Sequence, residues 1–205
     1  MKKFLSMFLA LVVVLSALSM FVACNNDNDK DDDKDDKKGT TTVVTTTEAP
    51  TTATPTTAAP KVPNGYKLYN GKGFSVAYPK TWTDSGMEGM VLFQNASTGS
   101  SFNIVSEAKT NAYDNMTVDS FNSTFKPVYE AMGMAVSNPK VDYKTIDGVK
   151  VLFLSFDVEA SGVSMKMAQF VFSLENSTYS ITVSEVKGSD TGVINAMFGS
   201  LAFTK

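Results

Sequence analysis

The side chains that usually carry chemistry near neutral pH are nearly absent from this chain. Its 205 residues include no histidine, eighteen basic residues that are all lysine, and one cysteine, Cys24. Without histidine there is no Ser-His-Asp or Cys-His relay and no histidine metal site, and without arginine there is no forked donor for phosphate or carboxylate. A lone cysteine excludes an internal disulfide, a thiolate zinc cluster and dithiol redox chemistry. Carboxylates, lysines, hydroxyls and thioethers remain. Asp157 and Glu159, two residues apart on one strand pattern, have the spacing of an acid–base pair, although spacing alone supplies neither a cleft nor a raised pKa. Met165 with Met167, and Met132 with Met134, suit either a soft copper(I) site or ordinary packing, and packing is the simpler account. Lys80, Asp84 and Glu88 lie close together in sequence as a polar mouth or as solvated charges. Asp27, Asp29 and Asp31 occupy positions 1, 3 and 5 of a calcium loop, but Asp32 stands where glycine is required and Lys38 where glutamate is required. The expectation is therefore no cofactor and no metal. A net charge of −3 gives no reason to expect a nucleic-acid partner.

The elements that position these residues begin with the segment ending at Cys24. Lys2 and Lys3 precede an apolar run from Phe4 to Ala23 that is interrupted only by Ser6, Ser16 and Ser19. These are the parts of a secretory signal peptide. The run Phe21-Val22-Ala23-Cys24 resembles the lipobox of bacterial lipoproteins, with phenylalanine where leucine is usual. That resemblance implies cleavage before Cys24, a lipid thioether on its sulfur and acylation of the new amino group. A retained membrane anchor and ordinary cleavage are the alternatives, and all three place the rest of the chain outside the cytoplasm.

Residues 24–62 read as a stalk. The Asp-, Asn- and Lys-rich block after Cys24 has no apolar residues with which to offset its ordering entropy. The Thr-, Ala- and Pro-rich stretch that follows reads as extended, with threonines open to O-glycosylation. Such a stalk reaches on the order of 35 Å as a coil, or about 120 Å in polyproline II.

From residue 63 to 205 the composition becomes that of a globular domain. Tyr66–Tyr69 and Phe74–Tyr78 read as strands of a hairpin turning at Asn70-Gly71. Met90–Phe93 and Phe102–Val105 are further strands. Thr117 reads as the N-cap of a helix with Val118, Phe121, Phe125, Val128, Tyr129 and Met132 on its inner face, kinked or split at Pro127 and ending at Met132-Gly133. Strands return at Lys140–Ile146, Val149–Val158, Val163–Leu174 and Tyr179–Glu185. The second of these is apolar on both parities, as a strand covered on both faces requires. A last helix, capped at Ser189 or Asp190, places Val193, Ile194, Met197 and Leu201 inward. This order specifies an α+β domain with an antiparallel sheet flanked by helices. Four Asn-X-Ser/Thr triplets, at Asn95, Asn115, Asn122 and Asn176, match a eukaryotic glycosylation pattern and read as coincidence in a bacterial lipoprotein.

Gly73-Phe-Ser-Val-Ala-Tyr-Pro-Lys-Thr-Trp82 resembles the opening signature of the PsbP-like family. The later order agrees: Ile146-Asp-Gly-Val-Lys150, a long strand, a further strand, Ser177-Thr-Tyr179 and a final helix ending in Gly199-Ser-Leu-Ala-Phe203. The resemblance covers residues 64–205. It implies an antiparallel sheet in an α/β/α sandwich, and binding or assembly more often than catalysis. Metal contacts of photosynthetic members have no counterpart here, since this chain has no histidine and no matching motif.

The expected function is thus a non-catalytic binding or assembly module of the cell envelope, tethered to the membrane through lipid on Cys24. Its partner would be an envelope protein or ligand. Tyr66, Tyr69, Trp82 and Met87, where the stalk meets the hairpin, form the expected partner surface. The alternative is an envelope enzyme using Asp, Glu, Lys, Ser or Tyr.

Overall fold

The computed structural model describes residues 60–86 and 91–204. The leader, most of the stalk, Cys24, the Asp27 loop, Met87 and Glu88 lie outside the described residues. Two antiparallel sheets carry the fold. The smaller has the order β1 (Tyr66–Asn70), β2 (Phe74–Pro79), β10 (Ala202–Phe203). The larger has seven strands in the order β3 (Thr83–Asp84), β4 (Val91–Gln94), β5 (Ser101–Ala108), β9 (Ser177–Val186), β8 (Val163–Leu174), β7 (Val149–Ala160) and β6 (Ala135–Ile146). The α+β class and the flanking helices are as the sequence specifies.

The topology dictates which faces become covered. Strands β6 to β9 form a meander, but β5 pairs with β9. The connection from β5 to β6 must therefore cross four strand spacings, about 19 Å, over one face of the sheet. It does so as α1 (Val118–Ser120), a π-helical turn (Phe121–Phe125) and α2 (Lys126–Ala131). The opposite face is covered by the small sheet and α3 (Val193–Ser200). Strand β7 shows both coverings directly. Val151 joins the core on the small-sheet side, while Leu152, Leu154, Phe156 and Val158 join the core under the helical crossover.

Several local details depart from expectation. Thr117 is the N-cap, and its Oγ1 accepts from Ser120 N–H at 3.1 Å while Thr117 N–H donates back to Ser120 Oγ at 2.8 Å, a capping box closed by serine. The helix is widened before Pro127 instead of being bent at it: Lys126 N–H donates to Phe121 O, five residues back. Pro127 has no N–H and its ring would press on the carbonyl four residues earlier, so an inserted π turn relieves both constraints. The first hairpin turns at Lys72-Gly73 and not at Asn70-Gly71: Asn70 pairs with Ser75, and Gly71 N–H donates to Phe74 O at 2.9 Å. Gly73 carries the positive φ of 80°, and Gly71 lies against the Phe74 ring, where a Cβ would sit 2.3 Å from a ring carbon.

Neither Ser189 nor Asp190 caps the last helix. Its N-cap is Gly192 at φ 91°, and the carboxylate of Glu185 on β9 accepts from Gly192 N–H at 3.1 Å and Ile194 N–H at 3.2 Å. Asp190 instead accepts from Asn95 Nδ2 at 3.1 Å and from the Thr98 hydroxyl. Strand β6 starts earlier than expected, at Ala135, and carries a bulge between Ser137 and Lys140. Ser200 fastens α3 to the small sheet by accepting from Ala77 N–H at 2.8 Å while donating to Met197 O at 2.7 Å.

Candidate functional site

The two sheet faces differ in what they bury. Along β9, Tyr179, Ile181 and Val183 alternate toward the small sheet and join its core. Thr178, Ser180, Thr182 and Ser184 therefore point toward the helical crossover. Their alternation reads as a solvent face in sequence, yet Thr178, Thr182 and Ser184 are buried. The same parity on β5 places Asn103, Val105 and Glu107 on this face, and on β8 it places Gln169 there.

A cleft lies between these strands and the crossover. Asn103, Gln169, Ser180 and Thr182 supply its polar floor, beside Val105, Leu152 and Leu154; Tyr113, Met116, Phe121, Phe125 and Tyr129 supply its roof. The inner void is about 20 Å³, room for a single water. An open groove of about 400 Å³ adjoins it, sharing Tyr113 and Leu152 and adding Lys109, Asn111, Lys150 and Ser173.

The floor has hydrogen-bonding capacity to spare. Gln169 Nε2 donates to Thr182 Oγ1 at 3.3 Å. Asn103 is only 3% exposed, and its side-chain amide bonds to none of the described residues. The Tyr129 hydroxyl, on a residue 2% exposed, has no hydrogen bond among them either. Neither is sealed in dry packing, because the one wholly enclosed side-chain nitrogen or oxygen without a partner among the described residues is Trp82 Nε1. Buried polar groups are normally paired, so an amide and a phenol left open on one cleft mark a place where a ligand or water belongs.

Electrostatics keep the site neutral. Burial pushes the Tyr113 phenol up to about 12, with the Glu107 charge adding to the effect. Burial raises Tyr129 further, helped by Tyr113. Both stay protonated as donors at any physiological pH. Glu107, further along β5 on the same face, has its carboxyl raised by burial.

The loop before the crossover is pinned by β6 and β7. The Tyr143 hydroxyl accepts from Met116 N–H at 2.6 Å and donates to Tyr113 O at 2.7 Å. Lys150 Nζ donates to Asp114 O at 2.8 Å and lies 4.3 Å from the centre of the Tyr143 ring.

The residues expected to form a partner surface are not brought together. Trp82 is no surface platform: it is 1% exposed, stacked on Phe102 at 6.2 Å, and belongs to the core on the small-sheet side. Tyr66 and Tyr69 are three apart on β1 and so face opposite ways. Tyr69 packs against Phe74 and Phe93, each at 6.3 Å between ring centres. Tyr66 is half-buried, its phenol raised first by burial and then by the charges of Glu185 and Asp190. Met87 is not among the described residues.

The other candidates also resolve. Asp157 accepts from Asn138 Nδ2 at 2.9 Å and pairs with Lys187 at 3.4 Å; the Asn138 bond is the main cause of a lowered pKa, the wrong direction for a general acid. Met165 and Met167 are each 1% exposed in the core under the crossover. Lys80 and Asp84 are exposed, and Asp84 Oδ1 accepts from Gly86 N–H at 2.9 Å. Among the described residues no cluster of three or more Asp, Glu, His or Cys is placed to hold a metal ion. No helix among them is long and apolar enough to cross a membrane.

Sequence reasoning missed Asn103, Glu107, Tyr113, Tyr129 and Gln169. One signal was present. Asn103 interrupts the apolar run Phe102-Asn-Ile-Val105, and an amide in the middle of such a strand needs a partner.

The comparisons bear on this architecture. No protein-family model matches the chain, and no curated protein does. Among solved structures, the solution structure of cyanobacterial PsbP (CyanoP) from Synechocystis sp. PCC 6803 is similar with a TM-score of 0.54 and 13% identity, over 75% of this chain and 98% of that one. The fold is PsbP-like. A crystal structure of a Bacteroides thetaiotaomicron protein is similar over 64% of this chain and 45% of that one, at 16% identity and a TM-score of 0.40. The PsbP-like arrangement accounts for the sheet and its flanking helices.

Proposed function

We propose that this chain is a lipid-anchored, extracytoplasmic binding or assembly module of the bacterial envelope, without catalysis of its own. The observation that supports it most is the cleft under the crossover, whose lining carries amides, hydroxyls and aromatic rings and no charged group. Such groups orient a ligand through hydrogen bonds and contact area, and do not move protons near neutral pH. The anchoring rests on the Phe21–Cys24 run and on the Asp- and Thr-rich segment that follows it. In a bacterial host, labelled palmitate enters the wild-type protein and fails to enter Cys24→Ser, which is released from the membrane. A Cys24→Ser protein of unchanged mass that stays on the membrane would refute the anchor.

A second reading has one observation in its favour. Glu107 has its carboxyl raised by burial, and its charge acts on the Tyr113 phenol of the cleft roof; such a carboxyl is a candidate general acid. Turnover of an envelope substrate by the purified protein, abolished in Glu107→Gln, would replace the binding module with an enzyme. The binding reading expects no such turnover.

A further inference from the structure

The geometry points to a ligand class for the cleft: a small uncharged molecule with an amide-like edge, one donor beside one acceptor, on a flat apolar body. This deepens the binding reading above and rests on it. The polar edge is read by Asn103, whose unpaired amide offers both a donor and an acceptor, with the Tyr129 hydroxyl and the free carbonyl oxygen of Gln169 nearby on the same lining.

Charge is disfavoured on the inner side. Asn103, Gln169, Ser180, Thr182, Tyr113 and Tyr129 carry no charge at neutral pH, so a carboxylate or ammonium placed among them would lose its hydration without gaining a counter-ion. A purely apolar ligand would leave Asn103 and Tyr129 as they are and gain nothing from them. The body of the ligand has its own place. Tyr113 and Leu152 wall both the inner void and the outer groove, so a ring resting between them can send its polar edge inward. The outer groove, at about 400 Å³, is of the size that holds small ligands.

The crossover is built to admit such a molecule. Its middle is the π turn Phe121–Phe125, and Phe121 and Phe125 both roof the void. A π turn replaces the regular hydrogen-bond ladder with longer loops of backbone, a feature that recurs at functional sites. At about 20 Å³ the inner void has room for one water, and the ligand's polar edge occupies that room in its stead.

Benzamide is the probe, with benzoate as its charged isostere. The full-length chain in lipid nanodiscs is titrated with each, following the side-chain amide signals of Asn103 and Gln169 and the backbone signals of 118–131 by NMR. Benzamide shifts them saturably and binds at least about tenfold tighter than benzoate, as one well-made buried hydrogen-bond set requires. Asn103→Leu, close in volume, loses about tenfold of the benzamide affinity and leaves benzoate binding unchanged. Should that variant fail to fold, Gln169→Leu and the wild-type benzamide-to-benzoate ratio carry the test. Equal binding of the two probes, no saturable shift at Asn103, or full benzamide affinity in a folded Asn103→Leu overturns this ligand class. None of those outcomes touches the binding reading, which fails on turnover by the protein instead.

Discussion

The two faces of the seven-stranded sheet are made from the same strands, yet they are finished differently. Toward the small sheet, aromatic rings close on one another: Phe170 lies 5.7 Å from Phe153 and 5.0 Å from Phe198, and Phe74 lies 5.1 Å from Phe172. Toward the crossover, one part of the face is packed with Met165, Met167, Phe156 and Val158 of β7 and β8, while another is floored by Asn103, Gln169, Ser180 and Thr182 of β5, β8 and β9 around a void. Hydrophobic burial stabilises the first face throughout, at roughly 25 cal/mol per Å² of apolar surface. The second face gives up part of that stabilisation, and what it gains is unsatisfied hydrogen-bonding capacity in a fixed place. A face that is less stable than its sequence neighbours permit is where function is to be sought.

The largest expected effect separates the faces by stability. Phe170→Ala removes a wholly buried ring from the sealed face and should cost about 3–5 kcal/mol in urea denaturation. Asn103→Leu, at a side chain equally buried but unpaired, should change stability by no more than about 1 kcal/mol in either direction, because it removes an unmet polar group along with the amide. Equal losses would mean that the two faces are packed alike.

Next is the helix cap. Glu185→Gln keeps the shape of the side chain but removes the charge facing the first amides of α3, and should cost about 1 kcal/mol, read as a lower Tm. The effect should fall on the small-sheet side and leave probe binding in the cleft as it was. That cap was not legible in sequence because its acceptor, the Glu185 carboxylate, stands on β9 and not in the residues just before the helix. Local rules favour Ser189 or Asp190, whereas the pairing of β9 brings Glu185 to Gly192 from seven residues away.

A smaller effect sharpens the other face. The Glu107 carboxyl is raised above its ordinary 4.5 by burial. The folded protein therefore favours the protonated form, and its stability is greatest below 4.5 and falls as pH rises through the raised value. Glu107→Gln has no charge to bury, so it should lack that fall and be the more stable protein above the raised pKa. Urea midpoints of the two proteins from pH 4 to 7 measure it; parallel curves would place Glu107 in full solvent.

What the sequence disclosed follows from what is local. The strand Val149–Val158, apolar on both parities, announced its double covering, and Thr117 announced a helix start. The polar parity of β9 misled, since alternation distinguishes two faces without saying whether water or a helix covers the polar one. Trp82 misled in the opposite sense. Its place after Pro79, next to the stalk, suggested a rim, but the turn at Pro79 carries the indole back into the core, where it stacks on Phe102. The cleft itself was illegible because its residues come from five separate segments whose meeting is set by the β5–β9 pairing.

The central claim is that one face is sealed and the other opens. Native-state hydrogen exchange tests it most directly. Amides of 118–131, whose ladder is broken by the π turn, should exchange well before those of 168–172 and 193–200, and benzamide should slow the first group alone. Exchange of 118–131 at the same rate as 168–172 and 193–200, with no response to benzamide, would contradict the account.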